Sequence, residues 1–335
     1  MPGALIVGTL RLLLALAVLL SHAEVRIGYL NPGVTAVIGF YLISGYVMAG
    51  LIHRHYGNAA RVHRFYLDRL LRLFPQYLVY AALTLAWFAF TGTHTEFLRS
   101  APGWRDIVNN VLVIPLNFYM YTGVDAFTLI PPAWSLGAEL QFYLLAPLML
   151  LWPRVGVALA LLSLGVHAAA LHGVLNTDWY GYRLLAGVLW VFAAGMLMFH
   201  ARRHRPAWAA LMACAAPLLA LLVYLYLRRL GLHTAPYQQE VLIGWGVGLP
   251  LLYWVGKLQT RTLDQAAGDL SYGVFLNHFL LIWLLFPAGA RTPLQLAALA
   301  LCSVALSWAT QHWVEKPVLA WRRRLRQGRV AKSQL

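Results

Sequence analysis

Four ionisable side chains stand inside runs that are otherwise apolar: Arg11, His22, Glu139 and His278. Such groups are costly at membrane depth, and where they occur they mark sites, pathways or pairs. Arg11 and His22 are eleven positions apart. At about 100° per residue a helix returns them to nearly the same face, roughly 16 Å apart along its axis. That face offers a cation at one end for an anionic group and an imidazole at the other for proton transfer. A bound molecule could lie along it with its anionic end at Arg11 and its reactive end near His22. Taken singly, each residue also has an ordinary role: Arg11 can snorkel to an interface, and His22 can end a helix among headgroups. Glu139 lies five positions after Trp134, near the start of its run. His278, with Asn277 beside it, is either a buried structural histidine or a second functional imidazole.

Other chemistries find little support. His53 and His55 flank Arg54 like half of a metal site, but no carboxylate or cysteine completes the ligand set, so no metal is expected. No H-E-x-x-H, P-loop, G-x-S-x-G or dinucleotide fingerprint occurs. Gly244, Gly246 and Gly248 read as a close helix contact rather than a phosphate loop. Cys214 and Cys302 both sit in apolar runs and suggest neither a disulfide framework nor a zinc site.

The elements that must position these groups follow from composition. Of 335 residues, 61% are hydrophobic and only 11% charged, against about 25% charged in soluble domains. This excludes an ordinary soluble enzyme, a disordered chain and a coiled coil. The 13 Trp and 17 Tyr fit interfacial belts. A net charge of +15 raises nucleic-acid binding, but the basic residues fall in short clusters between apolar runs, as membrane topology requires. A window of about 20 residues finds ten candidate spans: 4–23, 33–52, 74–92, 134–152, 155–173, 183–200, 207–227, 239–256, 271–287 and 293–314. The first resembles a signal peptide ending at Ser21-His22-Ala23, but no Lys or Arg precedes it and Arg11 interrupts it, so it is read as a retained span. With the amino terminus in the cytoplasm, eighteen of the 26 Lys and Arg fall inside and seven outside, with Arg11 within a span. The expected fold is therefore an all-α bundle of about ten transmembrane helices with both termini cytoplasmic. Residues 1–320 form its domain, and 321–335 form a basic cytoplasmic tail. Residues 53–73 read as a basic amphipathic stretch on the inner side. Residues 93–133 form a long outer connection, with 107–121 at the interface or dipping into the bundle.

Six strings in order resemble one family, the acyltransferase-3 integral membrane acyltransferases. They are RLLLALAVLLSH from Arg11 to His22, GVTAVIGFYLISGYVM with Ser44 and Gly45, and FYLDRLLRLFPQY with Arg69 and Arg72. WSLGAELQFYLLAP with Trp134, Ser135 and Glu139, LSYGVFLNH ending at His278, and VEKP with Glu315 complete the set. Gly137 and Gly273 stand where the family often has Ser, and Tyr46 where it often has Phe. The resemblance implies an O-acetyltransferase of the bacterial inner membrane. Its donor would be acetyl-coenzyme A from the cytoplasm, a co-substrate with no resident cofactor. The acceptor would be a hydroxyl of a surface or lipid-linked glycan at the outer face. Larger members carry a fused hydrolase-like domain that has no counterpart in this sequence, so direct transfer is expected.

Under that resemblance Arg69 and Arg72, with Arg64 nearby, join Arg11 in holding the donor phosphates. The pantetheine arm is long enough to bring the thioester toward His22. His22 is expected as general base, or as an acylated nucleophile, with Glu139 orienting its ring. Ser44, Trp134, Ser135, Asn277 and His278 are expected to line the passage or polarise the carbonyl, and Glu315 to fix the inner end. The main competing class is a transporter or flippase of a lipid-linked saccharide, against which no paired half-sequences are visible. Transfer of a succinyl or longer acyl group, or N-acylation, is a second alternative.

Overall fold

The computed structural model describes residues 7–257, 262–290 and 292–320. The tail 321–335 and Arg261 and Arg291, which enter the charge count above, lie outside the described residues. So do residues 4–6 of the first expected span.

Twelve helices dominate the chain: α1 (Gly8–His22), α2 (Pro32–Leu51), α3 (Val62–Thr91), α4 (Trp104–Leu112), α5 (Tyr119–Thr122), α6 (Ala133–Leu151), α7 (Pro153–Leu171), α8 (Leu185–His204), α9 (Pro206–Arg229), α10 (Gln238–Val255), α11 (Thr262–Leu285) and α12 (Pro293–Thr310). No β-sheet forms among the described residues. Each of the ten expected runs falls on its own helix. Eight helical segments of the described chain are long and apolar enough to cross a membrane. α1 is shorter, and α10 opens on the polar residues Gln238, Gln239 and Glu240. Large apolar side chains face outward, for example Leu161 and Leu162 on α7 and Leu218 and Leu222 on α9. A multi-pass membrane bundle is the arrangement in which that surface meets hydrocarbon.

Two boundaries differ from expectation: α11 begins at Thr262, nine residues before the expected start at 271, and α3 begins at Val62. Residues 62–73, read as part of a separate surface stretch, belong to the same continuous 30-residue helix as the following span. The several Leu and Arg residues favour continuation, and α3 runs on through Pro75 although that residue lacks a backbone donor and crowds the carbonyl of Leu71. Arg69 and Arg72 therefore sit on the N-terminal extension of a spanning helix.

Helix ends and close contacts set the register. Asn31 caps α2, its side-chain oxygen accepting from the Gly33 amide at 2.9 Å. The first amides of α1 are capped from another helix: the Asp264 carboxylate accepts from Gly8 at 3.3 Å and Thr9 at 2.7 Å. α1 then runs along α11. The three glycines of α10 serve helix packing, as expected. A Cβ at Gly244 would lie 2.7 Å from Ile38, and at Gly246 2.6 Å from Ala220.

The connection 92–132 folds onto the bundle. Asn110 donates to the carbonyls of Asp106 and Phe127, both at 2.9 Å, and accepts from the Leu129 amide at 2.8 Å. Asn117 donates to the Trp134 and Arg183 carbonyls at 3.1 and 3.0 Å and accepts from Gln141 at 2.9 Å. Buried amides with several partners fix the backbone far better than apolar contact alone.

Candidate active site

One internal cavity gathers most of the residues singled out by the sequence. Arg11 from α1, Ser44 from α2, Arg69 and Arg72 from α3, and Ser135 and Glu139 from α6 all line it. Arg69 and Arg72 are three positions apart and so share a helix face. Each is already charge-paired, Arg69 with Asp68 and Arg72 with Glu315, both carboxylates being buried. Arg11 has no carboxylate partner among the described residues. Its Nε is buried without a hydrogen-bond partner, as is the Nε of Arg69. Two unsatisfied guanidinium donors in one cavity are what an anionic ligand would complete.

In the same cavity, Glu139 Oε1 accepts from the Ser44 hydroxyl and from the Tyr143 hydroxyl, both at 2.6 Å. Phe40 and Phe275 also line the cavity and meet edge to face, with ring centres 5.9 Å apart.

His22 and His278 do not line this cavity. They form a pair beyond Phe275, whose ring lies 6.3 Å from that of His278. His22 Nδ1 and His278 Nε2 are 3.0 Å apart. The ring planes are 12° from parallel with centres 5.1 Å apart. An N···N gap plus the two ring radii accounts for that separation, so the rings meet edge to edge with the hydrogen bond in plane. His278 Nδ1 faces the Val274 carbonyl at 3.1 Å. Phe279 packs on both rings, at 4.7 and 5.2 Å. His278 is wholly buried, while His22 is exposed at its helix end.

Several expectations need correction. Glu139 was expected to orient His22, but its hydrogen bonds go to Ser44 and Tyr143, and the ring partner of His22 is His278. The reason is packing: α1 runs along α11, which carries His278, rather than along α6, which carries Glu139. Asn277 does not line the passage. It is buried in a network with the Ser303 carbonyl at 2.9 Å, the Ser303 hydroxyl at 2.5 Å and Tyr80 at 3.4 Å, tying α11 to α12 and α3. Arg64 is exposed and lies outside the cavity wall. Trp134 is likewise outside the wall, since its ring supports Arg183 at 4.6 Å. Glu315 pairs with Arg72 and so ties the end of α12 to α3.

Sequence reasoning counted Arg183 only as one of the basic residues. In the fold its guanidinium sits among the rings of Trp134, Tyr119, Tyr182 and Tyr237 at 4.6–5.7 Å and pairs with Asp178 at 2.5 Å. The only hint was the aromatic density of the string DWYGYR. Burial there pushes the Tyr119 hydroxyl up to about 12. Asp68 and Tyr143 were also missed as site residues, although both lie inside the quoted strings. Among the described residues no group of three or more His, Cys, Asp or Glu forms a candidate metal site.

Residues 7–312 match a family model described as an acyltransferase domain. A protein of Aquifex aeolicus that carries no functional name is 35% identical over 160 residues, 47% of this chain and 72% of its own length. Staphylococcus aureus proteins named "Putative O-acetyltransferase" are also similar. One from strain MSSA476 is 28% identical over 160 residues, 45% of this chain, and one from strain COL is 28% identical over 151 residues, 42% of this chain. The matched part is 24% of each of those relatives. No solved structure matches.

Proposed function

The chain belongs to the acyltransferase-3 family of multi-pass membrane acyltransferases, and from that premise we propose that it moves an acetyl group from acetyl-coenzyme A to a glycan hydroxyl. The donor enters at the arginine-rich end, the cytoplasmic face of a bacterial inner membrane, as a co-substrate. The acceptor, a surface or lipid-linked saccharide, is met at the His22 end. The single observation that carries this reading is one cavity lined by Arg11, Arg69, Arg72 and Phe275, with the ring of Phe275 lying 6.3 Å from that of His278 in the His22–His278 pair. The names of the staphylococcal relatives favour oxygen over nitrogen as the acceptor atom.

The chemistry follows from the groups present. Arg11 and the free edges of Arg69 and Arg72 hold the donor phosphates. The extended pantetheine arm runs past Ser44 and Glu139 toward the histidines. A sugar hydroxyl is a weak nucleophile at neutral pH, so a base must take its proton as it attacks. His22, exposed at its helix end, takes that proton. The hydroxyl oxygen bonds to the acetyl carbonyl carbon, the C–S bond breaks, and His22 returns the proton to the departing thiolate. The products are the acetyl ester and free coenzyme A. Ser44 and Ser135 supply hydroxyls on the same cavity wall.

The test is purified protein in liposomes with acetyl-coenzyme A and glycan extracted from the host envelope. Free thiol should appear together with glycan heavier by one acetyl group. His22→Ala should lose both signals, by about 10²–10⁴-fold, while remaining folded. Glycan moved between leaflets without a change of mass would replace this reading with transport.

A further inference from the structure

We propose that His278 is a positioning residue that fixes the tautomer of His22, leaving Nε2 of His22 as the atom that accepts the acceptor's proton. This rests on His22 being the base, and it goes beyond that reading by assigning a donor and an acceptor to every ring nitrogen of the pair.

The assignment starts at a group that has no choice. The Val274 carbonyl can only accept, so His278 Nδ1, 3.1 Å away, carries a hydrogen and donates it. His278 is wholly buried with no carboxylate among its hydrogen-bond partners, so it is neutral and carries a single N–H. Its Nε2 is then a lone pair. Facing that lone pair at 3.0 Å is His22 Nδ1, which must donate. Neutral His22 therefore carries its hydrogen on Nδ1, and its Nε2 is the unprotonated atom. The rings are within 12° of parallel, and the 5.1 Å between their centres against an N···N distance of 3.0 Å places the bond between facing ring edges.

The surroundings keep the pair in this state. Phe279 packs on both rings and offers no competing donor or acceptor. The Val18 carbonyl, one turn before His22 on α1, also reaches its ring and can only accept. Phe275 closes His278 from the cavity side. His278 also lies four residues after Val274 on one α-helix, so the carbonyl that anchors it is fixed by the helix itself. When His22 Nε2 takes the hydroxyl proton, the new positive charge is shared with the Nδ1–H, whose partner is already an aligned lone pair. His278 itself neither gains nor loses a proton. It does with an imidazole what a carboxylate does for histidine elsewhere: it selects the tautomer and holds the ring.

Two substitutions and one spectrum test this. In His278→Gln the amide oxygen can still accept from His22 Nδ1. In His278→Phe the ring volume stays and the acceptor is lost. With acetyl-coenzyme A and envelope glycan, kcat should fall no more than about tenfold in the Gln variant and about 10²-fold in the Phe variant, with the KM for acetyl-coenzyme A unchanged in both. Two-bond ¹H–¹⁵N correlation spectra of histidine-labelled wild-type protein, with His22→Ala used for assignment, should show His22 protonated at Nδ1. Equal losses in the two variants, wild-type turnover in His278→Phe, or an Nε2–H signal for His22 would each overturn the proposal. Full turnover in His22→Ala would instead remove the base reading, while the spectrum still reports the hydrogen-bond order independently of activity.

Discussion

Two of the three arginines in the cavity bring their own carboxylates, and this separates their roles in stability from their roles in binding. Arg72 and Glu315 are both largely buried, with side-chain exposures of 18% and 3%. Removing one partner of such a pair strands a buried charge and costs about 3–5 kcal/mol. Arg72→Ala is therefore expected to lower the melting temperature in detergent as well as to weaken donor binding. Arg11 has no such partner, so Arg11→Ala should leave the melting temperature close to that of the parent. Its acetyl-coenzyme A KM should rise about 10–100-fold, the equivalent of one charge-assisted phosphate contact. An unchanged KM in Arg11→Ala would move the phosphate site away from this cavity. The sequence named Arg11, Arg69 and Arg72 because charge in an apolar run is conspicuous. It did not name Asp68 as a partner, since an acidic residue beside a basic one looks like any solvated pair until the fold buries it.

At the scale of elements, α1 carries both Arg11 and His22, so its placement couples the two ends of the proposed site. Its start is held by Asp264 of α11, and its far end by the imidazole contact to His278 of the same helix. Helix amides left without a cap cost about 1 kcal/mol, up to about 2. Asp264→Ala should therefore lower the melting temperature modestly, raise the acetyl-coenzyme A KM and lower kcat together, since α1 would no longer be pinned. A fall in melting temperature with both kinetic constants unchanged would show that α1 is placed by packing alone. The spacing of Arg11 and His22 on one helix was legible because helical periodicity is local. The pairing of His22 with His278 rather than Glu139 was not, because it depends on which helix runs beside α1. Six ordered strings say nothing of that neighbourhood. The same holds for Trp134 and Asn277: each lies in a quoted string, yet the fold commits one to Arg183 and the other to Ser303 and Tyr80.

For the whole molecule, a bundle of membrane helices could be read from hydropathy because lipid demands long apolar runs with internally satisfied backbones, and eight helical segments of the described chain meet that length and composition. The continuity of α3 through Arg69 and Arg72 could not, since a basic stretch and the first turns of a spanning helix have the same composition. Direction across the membrane rests on charge: if the loop between α2 and α3 is cytoplasmic, eighteen Lys and Arg lie inside and seven outside. That loop holds Asn58, which is exposed, and the opposite end of α3 leads to the exposed Glu96. With Cys214 and Cys302 replaced by alanine, Asn58→Cys should resist an impermeant maleimide in intact cells and react once the membrane is opened. Glu96→Cys should react in both conditions. Orientation also decides which face takes the donor. In sealed liposomes, acetyl-coenzyme A added outside should be turned over only by molecules whose Asn58→Cys is labelled from outside. Turnover that follows the Glu96→Cys population would place the arginine cavity on the acceptor side and reverse the direction of transfer.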